Sequence, residues 1–177
     1  FQVSSIMTTT GFSTVDFDLW PAFSKAILLC LMAVGACAGS TGGGLKVIRL
    51  LLMVKSLRRA IRRTLRPSSV QLVRVNGKVV EADVLHNVCA YLVAYVLILF
   101  GSFVVVSLDE LSLESNISAV FSCFNNIGPG LAGVGPMMNF GHYSGFAKLV
   151  MTFDMLAGRL EIFPLLLLFA PETWKKF

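Results

Sequence analysis

Asn125-Asn126-Ile127-Gly128-Pro129-Gly130 interrupts a stretch otherwise composed for a membrane. From Ser115 to Ala147 no residue carries a formal charge, yet two glycines and a proline in this short segment forbid a continuous helix. A weaker echo, Thr8-Thr9-Thr10-Gly11-Phe12-Ser13, stands near the start of the chain. Irregular backbone at membrane depth is tolerated only where protein or a water-filled cavity satisfies it. The pair therefore predicts two re-entrant, ion-coordinating loops of one permeation pathway.

Composition supports a membrane setting. The 177 residues are 55% hydrophobic and 14% charged, with mean hydropathy +0.76. A soluble domain carries about 25% charged residues, and the deficit has to come from surface that never meets water. No charge lies between Asp83 and Asp109, enough helix to cross roughly 30 Å of hydrocarbon. A second uncharged run separates Lys25 from Lys46. The start, Phe1-Gln2-Val3, has neither an initiator Met nor the basic region of a secretory signal, which predicts a piece of a longer protein.

The net charge of +5 invites a nucleic-acid reading, but its distribution argues against one. Ten of the fifteen Lys and Arg fall between Lys46 and Lys78, while Asp16, Asp18, Asp109, Glu110 and Glu114 stand at the other ends of the apolar spans. The positive-inside rule makes the basic block cytoplasmic and the acidic ends external. Membrane lipid, not nucleic acid, is the expected partner of that block. The four cysteines, Cys30, Cys37, Cys89 and Cys123, lack ligand spacing and read as small buried hydrophobes.

In chain order, Phe1 to Met7 is expected to end a short helix that feeds the first loop. Trp20 and Pro21 mark an interface and a helix start, Ala22 to Ala38 a descending membrane helix, and Lys25 snorkels near its outer end. The helix runs into Gly39-Ser40-Thr41-Gly42-Gly43-Gly44, whose glycines each cost about 1 kcal/mol in a helix interior. It is no phosphate loop: Leu45-Lys46 follows in place of the required Lys and hydroxyl, and no strand precedes it. Leu45 to Arg66 resumes as helix, apolar and then basic, leaving the bilayer into an anionic headgroup layer; a docking surface for a cytoplasmic partner is compatible with that reading.

Gln71 to Val75 and Lys78 to Glu81 flank Asn76-Gly77, the strongest short hairpin signal. Val84 to Leu108 is the next span. Ser115-Asn116 is expected to cap a short helix, Ile117 to Phe124, ending at the second loop. Leu131 to His142 returns the chain to the outer face. Tyr143 to Phe169 descends, and Lys175-Lys176 put the C-terminus in the cytoplasm. The reading divides into residues 1–66, a hairpin linker 67–82, and residues 83–177.

The two halves repeat. Aligning Gly11 with Gly128 sets Thr9-Thr10-Gly11 against Asn126-Ile127-Gly128; further on, Phe23, Lys25, Met32 and Gly35 match Phe146, Lys148, Met155 and Gly158. Each copy reads short helix, glycine loop, return and descending helix. A dehydrated cation needs oxygens in place of its water shell, and backbone carbonyls supply them. Gly11 and Gly128 permit the required backbone. Helix C-termini point their negative dipole ends at the ion. Thr9, Thr10 or Asn126 add side-chain oxygens or brace the loops.

Thr8 to Phe12, Gly39 to Lys46, Asn125 to Gly130 and Met155-Leu156-Ala157-Gly158-Arg159-Leu160-Glu161 together resemble the Trk/Ktr/HKT superfamily of potassium transporters, most closely its TrkH-type bacterial subunits. The resemblance covers essentially the whole chain. It implies an all-α integral membrane protein of parallel repeats, each with outer helix, pore helix, filter loop and inner helix, with a small cytoplasmic β-hairpin between repeats. This chain would hold the end of the third repeat and all of the fourth, and so would not enclose a pore alone. The resemblance further implies potassium uptake across the bacterial inner membrane by a multi-pass protein. Filter residues would be Thr9, Thr10, Gly11, Asn126, Ile127 and Gly128, with potassium on Thr10, Gly11, Ile127 and Gly128. Gly39, Ser40, Thr41, Gly42, Gly43, Gly44 and Lys46 would form an intramembrane gate, with Arg159 at the constriction. A cytoplasmic nucleotide-binding regulatory subunit and a homodimer are implied too. Phe12 and Pro129 replace the glycine that follows the filter Gly, which implies a weaker filter than a tetrameric channel's.

An Arg among Met155 to Leu168 is costly in lipid and is expected to face water or a carboxylate, with Asp154 and Glu161 the candidates. An Arg–Glu pair that only locks helices stays open. Two other classes compete with the pore. A broken-helix secondary transporter for a small substrate or sodium would converge helix N-termini on its site, whereas these loops follow C-termini. A membrane enzyme has no support: His86 and His142 lie at interfaces, no carboxylates pair, and no catalytic residue is predicted.

Overall fold

The computed structural model describes residues 1–35, 43–66 and 73–160. Its helices are α1 (Gln2–Met7), α2 (Ala22–Ala33), α3 (Val47–Leu65), α4 (Ala82–Val106), α5 (Leu113–Phe124) and α6 (Gly145–Leu160). Strands β1 (Arg74–Val75) and β2 (Lys78–Val79) pair antiparallel.

Among the described residues one helix is long and apolar enough to cross a membrane, α4 with its 3-10 extension to Asp109. It buries a stripe at Leu85, Val88, Tyr91, Tyr95, Ser102 and Val106, and leaves Val93, Val96, Leu97, Phe100 and Val104 exposed. A helix apolar all round suits a lipid solvent. In lipid, helix association rests on packing and hydrogen bonds more than on water exclusion.

α5 sits between α4 and α6, and Val106, Val120, Cys123, Val134, Tyr143 and Met151 form their common core. It starts a turn earlier than the sequence suggests. Ser112 is the cap, its hydroxyl accepting from the Ser115 backbone N–H at 3.3 Å, so Ser115 and Asn116 lie inside the helix and are buried. A second core, Ile6, Phe17, Leu28, Met32, Ile127 and Leu131, joins the first half of the chain to the loop of the second.

α2 stops at Ala33, short of the expected Ala38. Val34 turns extended and bridges to Leu45 in parallel, with the Gly35 N–H donating to the Leu45 carbonyl at 2.6 Å. This non-local pairing closes the gap that flanks residues 36–42, on which most of the expected glycine-rich gate falls; Gly39 to Gly42 lie outside the described residues.

The hairpin forms where Asn76-Gly77 predicts it, with both turn residues left-handed at φ 50° and 79°. The second strand ends at Val79, short of the expected Glu81, and Gln71 and Leu72 of the expected first strand lie outside the described residues; Val80 N–H still donates to the Val73 carbonyl. Val73 and Val75 pack with Leu52 of α3 and Leu85 and Val88 of α4. The Lys55 ammonium holds the Arg74 carbonyl at 2.7 Å.

Of the described cysteines only Cys123 is buried; Cys30 and Cys89 are exposed. The expectation of burial fails for those two because their helices face outward there.

Candidate ion-coordinating site

Two loops follow the C-termini of α1 and α5, and their backbones match. The helices end at Thr8 and Asn125 with φ/ψ of −86°/1° and −91°/3°. Thr9 and Asn126 then turn left-handed at 54° and 55°, and Gly11 and Gly128 do so at 77° and 108°, while Thr10 and Ile127 between them do not. Alternating handedness is what turns successive carbonyls of a short loop toward one side.

The hydrogen bonds repeat as well. Thr9 N–H donates to Ile6 and Asn126 N–H to Cys123, both at 3.1 Å; Thr10 N–H donates to Ser5 and Ile127 N–H to Ser122, both at 2.9 Å. Thr8 returns its hydroxyl to the Ser4 carbonyl at 2.7 Å, as Asn125 returns its amide to Phe121 at 2.9 Å. Each loop is thus the same C-terminal unwinding of a short helix, built from different residues. Asn suits the left-handed well; the β-branched Thr9 does not, and such a residue stores strain of about 1–3 kcal/mol.

The loops touch. A β-carbon on Gly11 would collide with the Ile127 carbonyl oxygen, so only glycine permits the approach. The Ile127 side chain is buried in the core shared with Ile6 and Met32, so only its backbone meets the first loop. Thr10 hydrogen-bonds Thr8 hydroxyl to hydroxyl at 2.7 Å, and the Asn126 amide donates to the Met155 carbonyl of α6 at 3.0 Å. Both side chains brace.

A serine face on α5, missed in the sequence, zips the second loop to its helix. Ser122 donates to the Gly128 carbonyl at 2.7 Å, Ser118 donates to the Leu131 carbonyl and accepts its N–H, and Ser115 accepts from Gly133 N–H. In the first loop Ser5, the counterpart of Ser122, donates instead to Phe12 at 2.6 Å. The Gly128 carbonyl is therefore engaged with α5. Three serines at positions i, i+3 and i+7 of an otherwise apolar helix are the signal that finds this face.

Below the second loop, Asn125 is fully buried and its Oδ1 accepts from the Tyr95 hydroxyl at 2.9 Å. Gly43 abuts the Asn125 backbone, where a β-carbon would collide; one on Gly44 would lie 2.9 Å from Asn125 Oδ1. Of the expected gate residues the structure thus brings Gly43 and Gly44 to the base of the loop, while Lys46 precedes α3.

α6 closes the other side. Gly158 presses on the Phe124 carbonyl and the Asn126 amide, which sets Arg159, exposed in the last turn, one residue from the loop. Asp154 is not placed as expected for an Arg159 partner. It is fully buried against α4, where Ser102 donates to its Oδ1 at 2.6 Å, and its Oδ2 has no hydrogen-bond partner among the described residues. Glu161 lies outside the described residues. At the far end Lys25 meets Glu114 at 3.0 Å and Asp18 at 3.5 Å, so it pairs with carboxylates where snorkelling was expected. Asp18 also accepts from Ala132 N–H at 2.9 Å, a tie between the two halves.

A chain with a helix long and apolar enough to cross a membrane, and with two short helices that unwind into glycine loops, belongs to the class of integral membrane proteins. A family model described as TrkH, cation transport protein, matches residues 1–176, and the chain belongs to that family. It is 41% identical over 178 residues to the Trk system potassium uptake protein TrkH of Vibrio parahaemolyticus, covering 99% of this chain and 36% of the relative. The Escherichia coli K12 protein of the same name is 39% identical over 176 residues, with the same coverage. The crystal structure of the potassium transporter TrkH from Vibrio parahaemolyticus matches with a TM-score of 0.88 at 40% identity, over 98% of this chain and 37% of that one. The chain thus spans little more than a third of the length of these relatives. Their names describe transport, not catalysis.

Proposed function

We propose that this chain supplies two of four filter quadrants, with their inner helices, to a potassium uptake protein of the bacterial inner membrane. The observation that carries the reading is the matched left-handed pair in each loop, Thr9 with Gly11 and Asn126 with Gly128, in loops that meet at Gly11 and Ile127. Carbonyls of Thr9, Thr10, Gly11, Asn126 and Ile127 line the ion's path, and Gly128 fixes the exit of its loop through Ser122. Potassium is cargo, dehydrated at the filter and rehydrated beyond it. α1 and α5 direct their C-terminal dipole ends at it. That polarity favours a cation over the anionic substrate of a broken-helix transporter.

Gly39 to Gly44 gates the path below the filter, a reading supported by the seat of Gly43 and Gly44 against Asn125. Arg159 stands at the constriction as a fixed positive charge that competes with a passing cation. The basic α3 and the hairpin face the cytoplasm, as does the C-terminus, and there a nucleotide-binding regulatory subunit acts on the gate of a homodimer. Lys25, Asp18 and Glu114 lie on the external side.

The test is uptake in a potassium-requiring cell that expresses the full-length protein with Gly128→Asp. Loss of potassium uptake at unchanged membrane abundance is expected; undiminished uptake sinks the filter assignment. Shortening Gly39 to Gly44 is expected to raise basal conductance without altering ion preference, and unchanged conductance would make that loop purely structural.

A further inference from the structure

We propose that Asp18 is a positioning residue for the second loop: its carboxylate, contributed by the first half of the chain, holds the turn at Ala132 by which that loop leaves, and through it sets ion discrimination. The proposal rests on the filter reading given above and adds a residue that neither loop contains. Beyond Gly128-Pro129 the backbone amides are held one after another. Gly130 N–H donates to the Val134 carbonyl at 2.7 Å, Leu131 N–H to the Ser118 hydroxyl at 3.0 Å, and Gly133 N–H to the Ser115 hydroxyl at 2.9 Å. All three acceptors belong to the second half. Ala132 N–H donates instead to Asp18 Oδ1 at 2.9 Å, across 114 residues of chain. Ala132 is also the residue of this stretch with a left-handed backbone, φ 52°. A side chain makes that conformation costly, and it persists only where the surroundings impose it. A hydrogen bond to an ionised acceptor is stronger than one to a hydroxyl, and here it falls on the strained residue.

Asp18 is itself held in place. It lies in the 3-10 turn Phe17–Leu19, capped by Asp16, whose carboxylate accepts the Asp18 N–H at 3.0 Å. Phe17, buried, anchors that turn in the core that also contains Ile127 and Leu131. Lys25 approaches the same Oδ1 at 3.5 Å and makes its closer contact, 3.0 Å, with Glu114 in the first turn of α5. The carboxylate is thus seated by a buried aromatic neighbour and balanced by a cation before it reaches Ala132.

From Ala132 the consequence reaches the loop over a short lever. Ala132 stands four residues beyond Gly128, and Pro129 lies between them with its φ fixed by its ring. Ser122 holds the Gly128 carbonyl at 2.7 Å, and the Ile127 and Leu131 side chains are fixed in the shared core, so this stretch has little slack. Without the carboxylate, Ala132 N–H loses its acceptor and the left-handed turn its support, and the chain back to Gly128 has to turn with it. Attraction of cations to an acidic mouth would not single out Asp18 from Glu114. The contact with Ala132 does.

The experiment measures potassium and sodium uptake by the full-length protein reconstituted in vesicles at equal protein amount. Asp18→Ala is expected to lower the potassium-to-sodium flux ratio several-fold. Asp18→Asn keeps an acceptor without the charge and is expected to retain most of the ratio. Glu114→Gln removes a neighbouring charge but not the contact with Ala132, and is expected to retain all of it. Ala132→Gly frees the left-handed turn of side-chain strain, so adding it to Asp18→Ala is expected to recover the ratio. An unchanged ratio in Asp18→Ala overturns the proposal. Loss of the ratio in Asp18→Asn and Glu114→Gln alike also overturns it, because the effect then belongs to charge at the mouth. No recovery in the double variant overturns the role of Ala132. If Asp18→Ala fails to accumulate, the double variant reads the same coupling as regained abundance and ratio, and failure to regain them overturns the proposal too. Gly128→Asp separates the two readings. Intact uptake in that variant sinks the filter itself, whereas lost uptake there with an unchanged ratio in Asp18→Ala sinks only the role of Asp18.

Discussion

Thr9 and Asn126 hold the same left-handed backbone, φ 54° and 55°, at the same step beyond the end of a short helix. One is β-branched and the other an amide, so the match is not a residue preference repeated twice. The same backbone places Gly11 and Gly128 two residues on, both at positive φ, where glycine sits without strain and a side chain would not.

The two glycines should nevertheless respond differently to a methyl group. Both have positive φ, so alanine costs about 1–2 kcal/mol at either. At Gly128 the new β-carbon meets nothing within 4 Å, whereas at Gly11 it collides with the Ile127 carbonyl. Gly128→Ala is expected to lower the melting temperature of the detergent-solubilised full-length protein modestly. Gly11→Ala is expected to lower it further and to lose discrimination of potassium from sodium in flux assays. Equal effects would mean that the two loops do not touch.

Thr9→Asn copies the second loop into the first. Asparagine tolerates the left-handed well better than a β-branched residue, so relief of roughly 1 kcal/mol is expected. Melting temperature should rise and potassium flux should persist. A fall in both would show that the Thr9 side chain itself serves the site.

How far the sequence disclosed this arrangement depends on how local each feature is. The loops were legible because glycine, proline and asparagine inside an uncharged apolar run leave few alternatives, and Asn76-Gly77 announced its hairpin. The end of α2 was not, because Val34 is held by Leu45 across residues 36–42, a pairing no local propensity encodes. The serine face of α5 is hidden in the sequence because Ser115-Asn116 suits a cap, whereas the true cap, Ser112, lies a turn earlier. Asp154 is near Arg159 only along the chain. Five residues along a helix turn by roughly 140°, which puts the two on different faces. The carboxyl's real neighbour, Ser102, belongs to another helix.

That neighbour can be measured. Ser102 and Asp154 tie α4 to α6 one residue from the Met155 carbonyl that holds Asn126. A double-mutant cycle of Ser102→Ala and Asp154→Ala, read by thermal unfolding, should give a coupling of about 1–2 kcal/mol. Asp154→Asn keeps an acceptor for Ser102 and is expected to cost less than Asp154→Ala. Additive losses would mean that the hydroxyl and the carboxyl do not depend on each other.

Gly158 offers a test of sign. In an ordinary helix Gly→Ala stabilises by about 1 kcal/mol. Here the added β-carbon would collide with the Phe124 carbonyl and lie 2.9 Å from the Asn126 amide nitrogen, both backed by buried residues. Overpacking of this kind costs about 1–3 kcal/mol and outweighs the propensity gain. Gly158→Ala is therefore expected to lower the melting temperature and to push the last turn of α6, with Arg159, away from the loop at Asn126. A shifted potassium-to-sodium flux ratio should accompany it, because Asn126 braces the loop from the same side. A rise in melting temperature would show that α6 does not press on the loop, and the proposed place of Arg159 at the constriction would lose its support.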